Sequence, residues 1–266
     1  MNGPVRLLVS GATGRMGRAI GRLAGESEDL RVIGGIARGA TPERARQSGY
    51  PALRDVAGAR ELIDRADAIV DVSAPPQLGD LIDRHADALA EKALLIGTTG
   101  LDDALEARLD ELSASAAVLV ASNFSVGVNL LIGLVERAAR ALPGDRYDIE
   151  VVETHHRGKE DAPSGTALSL GRSAATARGV DLRDVRRDGR SGRPGRRPAG
   201  EIGFHALRGG DVSGEHAVHF LGDGERITMS HSATSRELFA RGALLAVRWL
   251  AGREPGRYRM MDVLGL

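Results

Sequence analysis

The chain contains no cysteine. That excludes disulfides, thiolate metal sites and thiol nucleophiles together, and with them any reductase chemistry that runs through a cysteine thiohemiacetal. Aromatic residues make up only 3% of the sequence, leaving few platforms on which nucleic-acid bases could stack. Neither sign of charge dominates. The 36 Lys and Arg balance 36 Asp and Glu, so no global field draws the chain to nucleic acid or to an anionic membrane. No apolar run approaches the roughly 20 residues needed to span a bilayer. The opening stretch, Met1-Asn-Gly-Pro-Val-Arg-Leu-Leu-Val-Ser10, leads into a strand-like run without the small-residue cleavage site of a signal peptide, so a cytoplasmic location is expected. Lysine is the last scarcity: Lys92 and Lys159 are the only two, and arginine supplies the remaining permanent cations. A chain that keeps lysine at 159 needs there what a guanidinium cannot do, which is to shift its pKa and give up a proton.

What is present is ordinary for a soluble globular protein: 266 residues, 42% hydrophobic and 27% charged. This length predicts one large domain or two smaller ones. Short apolar runs at Val5–Ser10, Arg31–Ala37, Asp67–Ser73, Ala93–Thr98 and Ala117–Ser122 read as strands. Helical patterns lie between them at Arg15–Gly25, Gln77–Lys92 and Asp102–Ser115. Such alternation predicts an α/β fold with a Rossmann-type parallel sheet. The stretch Thr41–Ala59 lacks periodicity and reads as a short strand with turns. From Gly127 the pattern changes to a helix over Gly127–Leu142, a strand over Asp148–Glu153 and a helix over Ser164–Arg178. Strands follow at Glu201–Leu207, Glu215–Leu221 and Arg226–His231, then a closing helix over Arg236–Leu250. A dinucleotide-binding domain is therefore expected over 1–126, completed by 237–266. A second, α+β mixed-sheet domain is expected over 127–236. Arg186, Arg187, Arg190, Arg193, Arg196 and Arg197 lie among glycines and prolines and read as a solvated loop, or as a flexible loop that attracts anions.

The first strand runs into Gly11-Ala12-Thr13-Gly14-Arg15-Met16-Gly17 and then a helix. Glycines let the backbone approach a pyrophosphate, and the helix N-terminus attracts it. The spacing is GxxGxxG rather than GxGxxG, so its position after an N-terminal strand carries most of the signal. At the end of the second strand, where an acidic residue would hold the ribose of NADH, the sequence reads Gly35-Ile36-Ala37-Arg38. Arg38, assisted by Arg15, suits a 2′-phosphate, which points to NADPH in preference to NADH. The alternative is a solvated Arg38. Two small polar loops follow later strands: Gly97, Thr98 and Thr99, and Ala121, Ser122, Asn123 and Phe124. They suit ribose and nicotinamide.

The segment Glu153-Thr-His-His-Arg-Gly-Lys-Glu-Asp-Ala-Pro-Ser-Gly-Thr-Ala167 places His155, His156 and Lys159 just past a strand, before a turn at Asp161–Pro163 and a helix capped by Ser164. Adjacent histidines on extended chain point to opposite sides, and no HExxH spacing is present, so no metal is expected. The backbone N–H groups of Gly165 and Thr166 face outward as an anion site. Cations and a helix start at one spot suit a small carboxylate substrate, with Lys159 or His155 able to supply a proton.

This segment resembles the signature of the dihydrodipicolinate reductase family. The resemblance extends over Gly11–Met16, Ile96–Gly100, Ser122–Asn129, Gly210–His216 and Met261–Leu264. It implies a nicotinamide-dependent reductase of the diaminopimelate route to lysine, acting on a dicarboxylate. His155 is then the proton donor and acceptor, Lys159 a proton donor, and His156, Lys159, Gly165 and Thr166 bind substrate, with Arg236 also reaching it. Gly11–Met16, Gly97–Thr99 and Ala121–Phe124 bind the cofactor. A homotetramer and hinge closure between the domains are implied as well. Many relatives carry an acid where Ala37 stands, so the departure favours NADPH and leaves NADH as the lesser cofactor. Two other functions fit the residues alone: a reductase of another small imino- or oxo-dicarboxylate, and a catalytically silent nucleotide sensor on the same fold.

Overall fold

A computed structural model describes residues 3–266. The chain runs β1 (Val5–Ser10), α1 (Arg15–Gly25), β2 (Leu30–Ile36), α2 (Pro42–Ser48), β3 (Leu53–Arg54), α3 (Arg60–Arg65), β4 (Ala68–Asp71), α4 (Pro75–Leu89), β5 (Ala93–Ile96), α5 (Asp103–Ser113) and β6 (Ala117–Val120). It continues as α6 (Val126–Ala141), β7 (Asp148–His155), α7 (Gly165–Ala177), α8 (Leu182–Val185), β8 (Arg186–Asp188), β9 (Ile202–Arg208), β10 (Glu215–Leu221) and β11 (Arg226–Ser232). It closes with α9 (Glu237–Leu250), β12 (Gly256–Tyr258) and α10 (Met260–Leu264). Two compact units result. The first holds the chain up to Val126 and takes back Glu237–Gly265; the second holds Gly127–Arg236.

The first unit is built on a seven-stranded parallel sheet in the order β12-β6-β5-β4-β1-β2-β3. Every residue of β4 and β5 is buried, as expected for strands covered on both faces. Side chains alternate between the two covers. Leu7 and Val9 join Ile20 and Leu23 of α1 and Leu244 and Val247 of α9. Leu8 joins Ile69, Leu78, Leu94 and Leu109 on the other side. The strand order reverses at β1, which pairs with both β2 and β4. Open α/β sheets bind ligands at such a switch point, beyond the carboxyl ends of the strands.

The stretch expected to be a short strand with turns, Thr41–Ala59, contains the strand β3 but also the helix α2. Thr41 accepts from Arg44 N–H as N-cap and Pro42 opens the helix. Only Ala45 of α2 is buried, so the helix has no apolar stripe to reveal it. The helix α3 and the edge strand β12 also lay outside the sequence reading. Both are too short for a periodicity to register. Among the described residues no helix is long and apolar enough to cross a membrane.

The second unit is a five-stranded mixed sheet in the order β11-β10-β7-β9-β8. β10 is antiparallel to β7 and β11, whereas β7, β9 and β8 are parallel. Ile149, Val151, Phe204, Val218 and Phe220 form its core face, under Leu131 and Val135 of α6 and Leu170 and Ala174 of α7. β7 continues to His155 instead of ending at Glu153, because β9 pairs with it as far as Arg208. The arginine-rich stretch is a loop from Gly189 to Glu201, with Arg193 and Arg196 exposed, but its other arginines are not all solvated. Arg186 and Arg187 form part of β8. Arg190 binds Glu150 and Glu201, and Arg197 binds Asp148 and Glu150. Charge pairing across the sheet had no counterpart in the local composition.

Candidate active site

In the first unit, the glycine turn after β1 is packed too closely against backbone to admit side chains at Gly11 and Gly17. A Cβ on Gly11 (φ +80°) would stand 2.6 Å from the Val72 carbonyl oxygen, and one on Gly17 would stand 2.3 Å from Gly11 O. The amides of Gly11 and Ala12 both donate to Ile36 O, at 2.9 and 3.2 Å, and Gly14 N–H donates to Gly11 O. Those N–H groups shape the turn. Ala12 is fully buried, whereas Arg15 is exposed and Thr13 and Met16 are half-buried. A cleft of about 490 Å³ is lined by Gly11, Thr13, Gly14, Ala37, Arg38 and Arg44, with Ser73 and Gln77 among its other walls. Arg44, on α2, carries no cofactor signature in the sequence. Its Nη1 donates to Arg38 O at 2.7 Å and to Gly39 O at 2.8 Å, so it also holds the turn that presents Arg38.

A second cleft of about 340 Å³ is lined by Met16, Val72, Gly97, Ala121, Ser122, Asn123, Phe124 and Phe239. A Cβ on Gly97 would stand 2.5 Å from the Phe124 ring, so glycine is needed where that buried ring passes. Thr99 is exposed, but Thr98 is buried and its hydroxyl donates to the Asp71 carboxylate, which also accepts from Ser73. Asp71 is fully buried and fastens the loops after β4 and β5 to each other. Phe239 and Asp71 carry no local signature. The first comes from the returning helix α9, and the second reads as an ordinary strand end.

In the second unit, Glu153 and His155 are two apart on β7 and share a face. Glu153 is fully buried. It accepts from His155 Nδ1 at 2.5 Å, from both Nη atoms of Arg208 at 2.8 Å each, and from Ser164 N–H at 3.0 Å. Burial pushes this carboxyl up. The hydrogen bonds from Arg208, His155 and Ser164 outweigh it and hold the pKa below the usual range. His216 of β10 lies opposite Glu153 in register. Its Nε2 is 3.0 Å from Ser164 Oγ, and its ring meets that of His155 edge-on at 5.1 Å. Ser164 Oγ also accepts from Ala167 N–H and caps α7.

His156 begins the turn beyond β7 and donates its N–H to Val212 O at 2.8 Å. Lys159 Nζ donates to Asp161 Oδ1 at 2.8 Å, with the lysine side chain 21% exposed. Gly165 is exposed at the helix start and Thr166 is half-buried beside it. Arg236 is exposed one residue before α9. The sequence alone assigns no role to Glu153, Arg208 or His216. The two-residue spacing of Glu153 and His155 could have been read as one strand face; Arg208 and His216 arrive on other strands.

Burial, then the charge of His155, pushes the His216 pKa down to about 4 from 6.5, so the ring is neutral at neutral pH. The unfolded chain binds a proton below about 6.5 that the folded chain refuses until about 4. The stability is therefore complete above the upper value and is lost on acidification through this window, by about 3 kcal/mol. Denaturant unfolding at several pH values is expected to show this slope in the wild type and a shallower one in His216→Gln. Equal slopes would mean that His216 is not the group responsible.

A family described as "Dihydrodipicolinate reductase, N-terminus" matches residues 5–124, and "Dihydrodipicolinate reductase, C-terminus" matches residues 127–264. The 4-hydroxy-tetrahydrodipicolinate reductase of Parvibaculum lavamentivorans is 46% identical over 276 residues, covering 100% of each chain. That of Rhizobium meliloti is 44% identical over 268 residues, covering 98% of each. In fold, the chain is similar to a dipicolinate-bound dihydrodipicolinate reductase from Paenisporosarcina sp. TG-14, with a TM-score of 0.75 at 21% identity over 97% and 98% of the two chains. A myo-inositol 2-dehydrogenase from Lactobacillus plantarum gives a TM-score of 0.59 at 12% identity over 98% and 93%.

Proposed function

Because this chain belongs to the dihydrodipicolinate reductase family, we propose that it reduces 4-hydroxy-tetrahydrodipicolinate to tetrahydrodipicolinate in the diaminopimelate route to lysine. The observation that carries this reading is the Glu153-held His155 beside the Ser164-capped start of α7, in the segment that also bears Lys159. Reduced nicotinamide dinucleotide supplies the hydride. The tight glycine turn at Gly11 and Gly17 fits such a group, since a side chain at either would clash with neighbouring backbone and break the turn that leads into the N-terminus of α1. Thr13, Arg15 and Met16 would hold the pyrophosphate, with Gly14 leaving the approach clear of a side chain. Gly97, Thr99 and Ala121–Phe124 would hold the ribose and nicotinamide, with Phe239 as a further wall. Thr98 contributes through its backbone, its hydroxyl being committed to Asp71. Arg38 and Arg44 provide the cationic wall for a 2′-phosphate, which favours NADPH.

The dicarboxylate is held by the first-turn N–H groups of α7 at Gly165 and Thr166, with His156, Lys159 and Arg236 supplying cations or hydrogen bonds. Either Lys159 Nζ or a protonated His155, through Nε2–H, delivers the one proton that neutralises the anion left after hydride addition. The second unit serves for substrate binding and for assembly into a homotetramer. Its sheet face carrying Val152, Leu207 and Ala217 lies outside the core, and Leu207 is 51% exposed. The enzyme works in the cytoplasm.

Oxidation of NADPH coupled to freshly generated substrate tests the function directly. Turnover is expected; a flat trace with this substrate, alongside turnover of another imino- or oxo-acid, would overturn it. A second experiment tests the carboxylate site. Open space surrounds the Cβ position of Gly165, so Gly165→Leu should fold normally. The leucine should nevertheless raise the substrate KM by about tenfold or more, the scale of one lost charge-assisted hydrogen bond. Thr166→Val should raise it less. An unchanged KM in Gly165→Leu would place the carboxylate elsewhere.

A further inference from the structure

Building on the roles proposed for His155 and Lys159, we infer that Arg208 and Glu153 form a positioning pair that presets both. The chemistry of the acceptor comes first. Glu153 is ionised and takes hydrogen bonds on both oxygens: Oε2 from His155 Nδ1 and Arg208 Nη1, Oε1 from Arg208 Nη2 and Ser164 N–H. An ionised carboxylate only accepts, so His155 Nδ1 carries hydrogen. In the neutral ring the lone pair is then on Nε2, and Nε2 is the atom that takes up and releases protons. The backbone of Gly214 passes close to that atom. A Cβ there would stand 3.0 Å from Nε2, so the glycine keeps this edge of the ring clear.

Arg208 does two things. Its fork satisfies a buried carboxylate that would otherwise be an uncompensated charge or take up a proton. A protonated Glu153 could donate to Nδ1 and reverse the tautomer. The same Nη2 also donates to Asp161 O at 2.6 Å, and Asp161 Oδ1 is the partner of Lys159 Nζ at 2.8 Å. One guanidinium therefore braces the strand end that carries His155 and the turn that carries Lys159. Lysine at 208 would keep the charge but lose the fork, so it cannot hold both.

The test uses the whole enzyme. Nitrogen-15 spectra of its histidine rings, with His155 assigned by loss of its signals in His155→Ala, should show the Nδ1–H tautomer in the wild type. Glu153→Gln and Arg208→Lys should each lower kcat by at least about tenfold, change the His155 ring signals, and leave the KM for the dinucleotide unaltered. Should Glu153→Gln fail to fold, the wild-type spectrum and Arg208→Lys still decide. An Nε2–H tautomer in the wild type would overturn the inference. So would wild-type kcat and unchanged ring signals in Arg208→Lys, since a merely structural role would lower thermal stability alone. Full turnover by His155→Ala would instead remove the proposed role of His155, and the tautomer spectrum would still judge the positioning pair.

Discussion

Lys159→Ala is expected to turn over at least about 10²-fold more slowly than the wild type, the usual scale for losing a general acid. His155→Ala is expected to do likewise. Unfolding should not account for the lysine result. The Lys159–Asp161 pair is partly exposed on one side and open on the other, and such pairs contribute only about 0–1 kcal/mol. Lys159→Arg is the sharper variant. It keeps the charge and a hydrogen-bond donor for Asp161, but a guanidinium does not release a proton at neutral pH. Its kcat should fall nearly as far as that of the alanine variant. For His155, truncation leaves Glu153 bonded to Arg208 and Ser164, so circular dichroism should show an intact fold. Steady-state kinetics on freshly generated substrate provides the check. Near-normal rates in both alanine variants would sink the assignment of proton donors.

NADPH is expected to be preferred over NADH by about 1–3 kcal/mol, the scale of a charge-assisted hydrogen bond. Ala37 offers nothing to a ribose diol, while Arg38 and Arg44 line the same cleft. Arg38→Ala should erase much of the preference by weakening NADPH binding. Arg44→Ala should act in the same direction, because Arg44 also holds the carbonyls of Arg38 and Gly39. Ala37→Glu should improve NADH use and repel the extra phosphate. Ala37 is buried at 3% exposure, but it lines the cleft, so a carboxylate added there has a route into it. Kinetics with each dinucleotide decides the matter. Equal use of both by the wild type would refute the reading of the Ala37–Arg38 pair.

The parallel sheet is legible because Leu7–Val9 of β1, Ala68–Val70 of β4 and all of β5 are apolar runs separated by helical patterns, and burial on both faces demands that composition. The start of α7 was legible because Ser164 can cap a helix from its own position. Helix α2 escaped, since a short polar helix with one buried residue leaves no periodic trace. The glycines and prolines of the arginine-rich stretch give away its loop, Gly189 to Glu201, but not the pairing of Arg190 and Arg197. The acids that hold Arg190 and Arg197 lie on β7 and, as Glu201, just before β9.

The sequence by itself determined the class of fold, the glycine turn and the presence of a lone lysine beside two histidines. These rest on local steric rules and on side-chain chemistry that a residue carries wherever it lies. Only the tertiary structure decided what surrounds those groups. Arg208 reaches Glu153 across 55 positions of sequence and His216 reaches Ser164 across 52. Strand register brings them there: His155 lies beside Arg208 on one neighbour of β7, and Glu153 lies beside His216 on the other. Register follows from the packing of the whole sheet face, so which nitrogen of His155 is left to exchange a proton cannot be read from His155 and its chain neighbours.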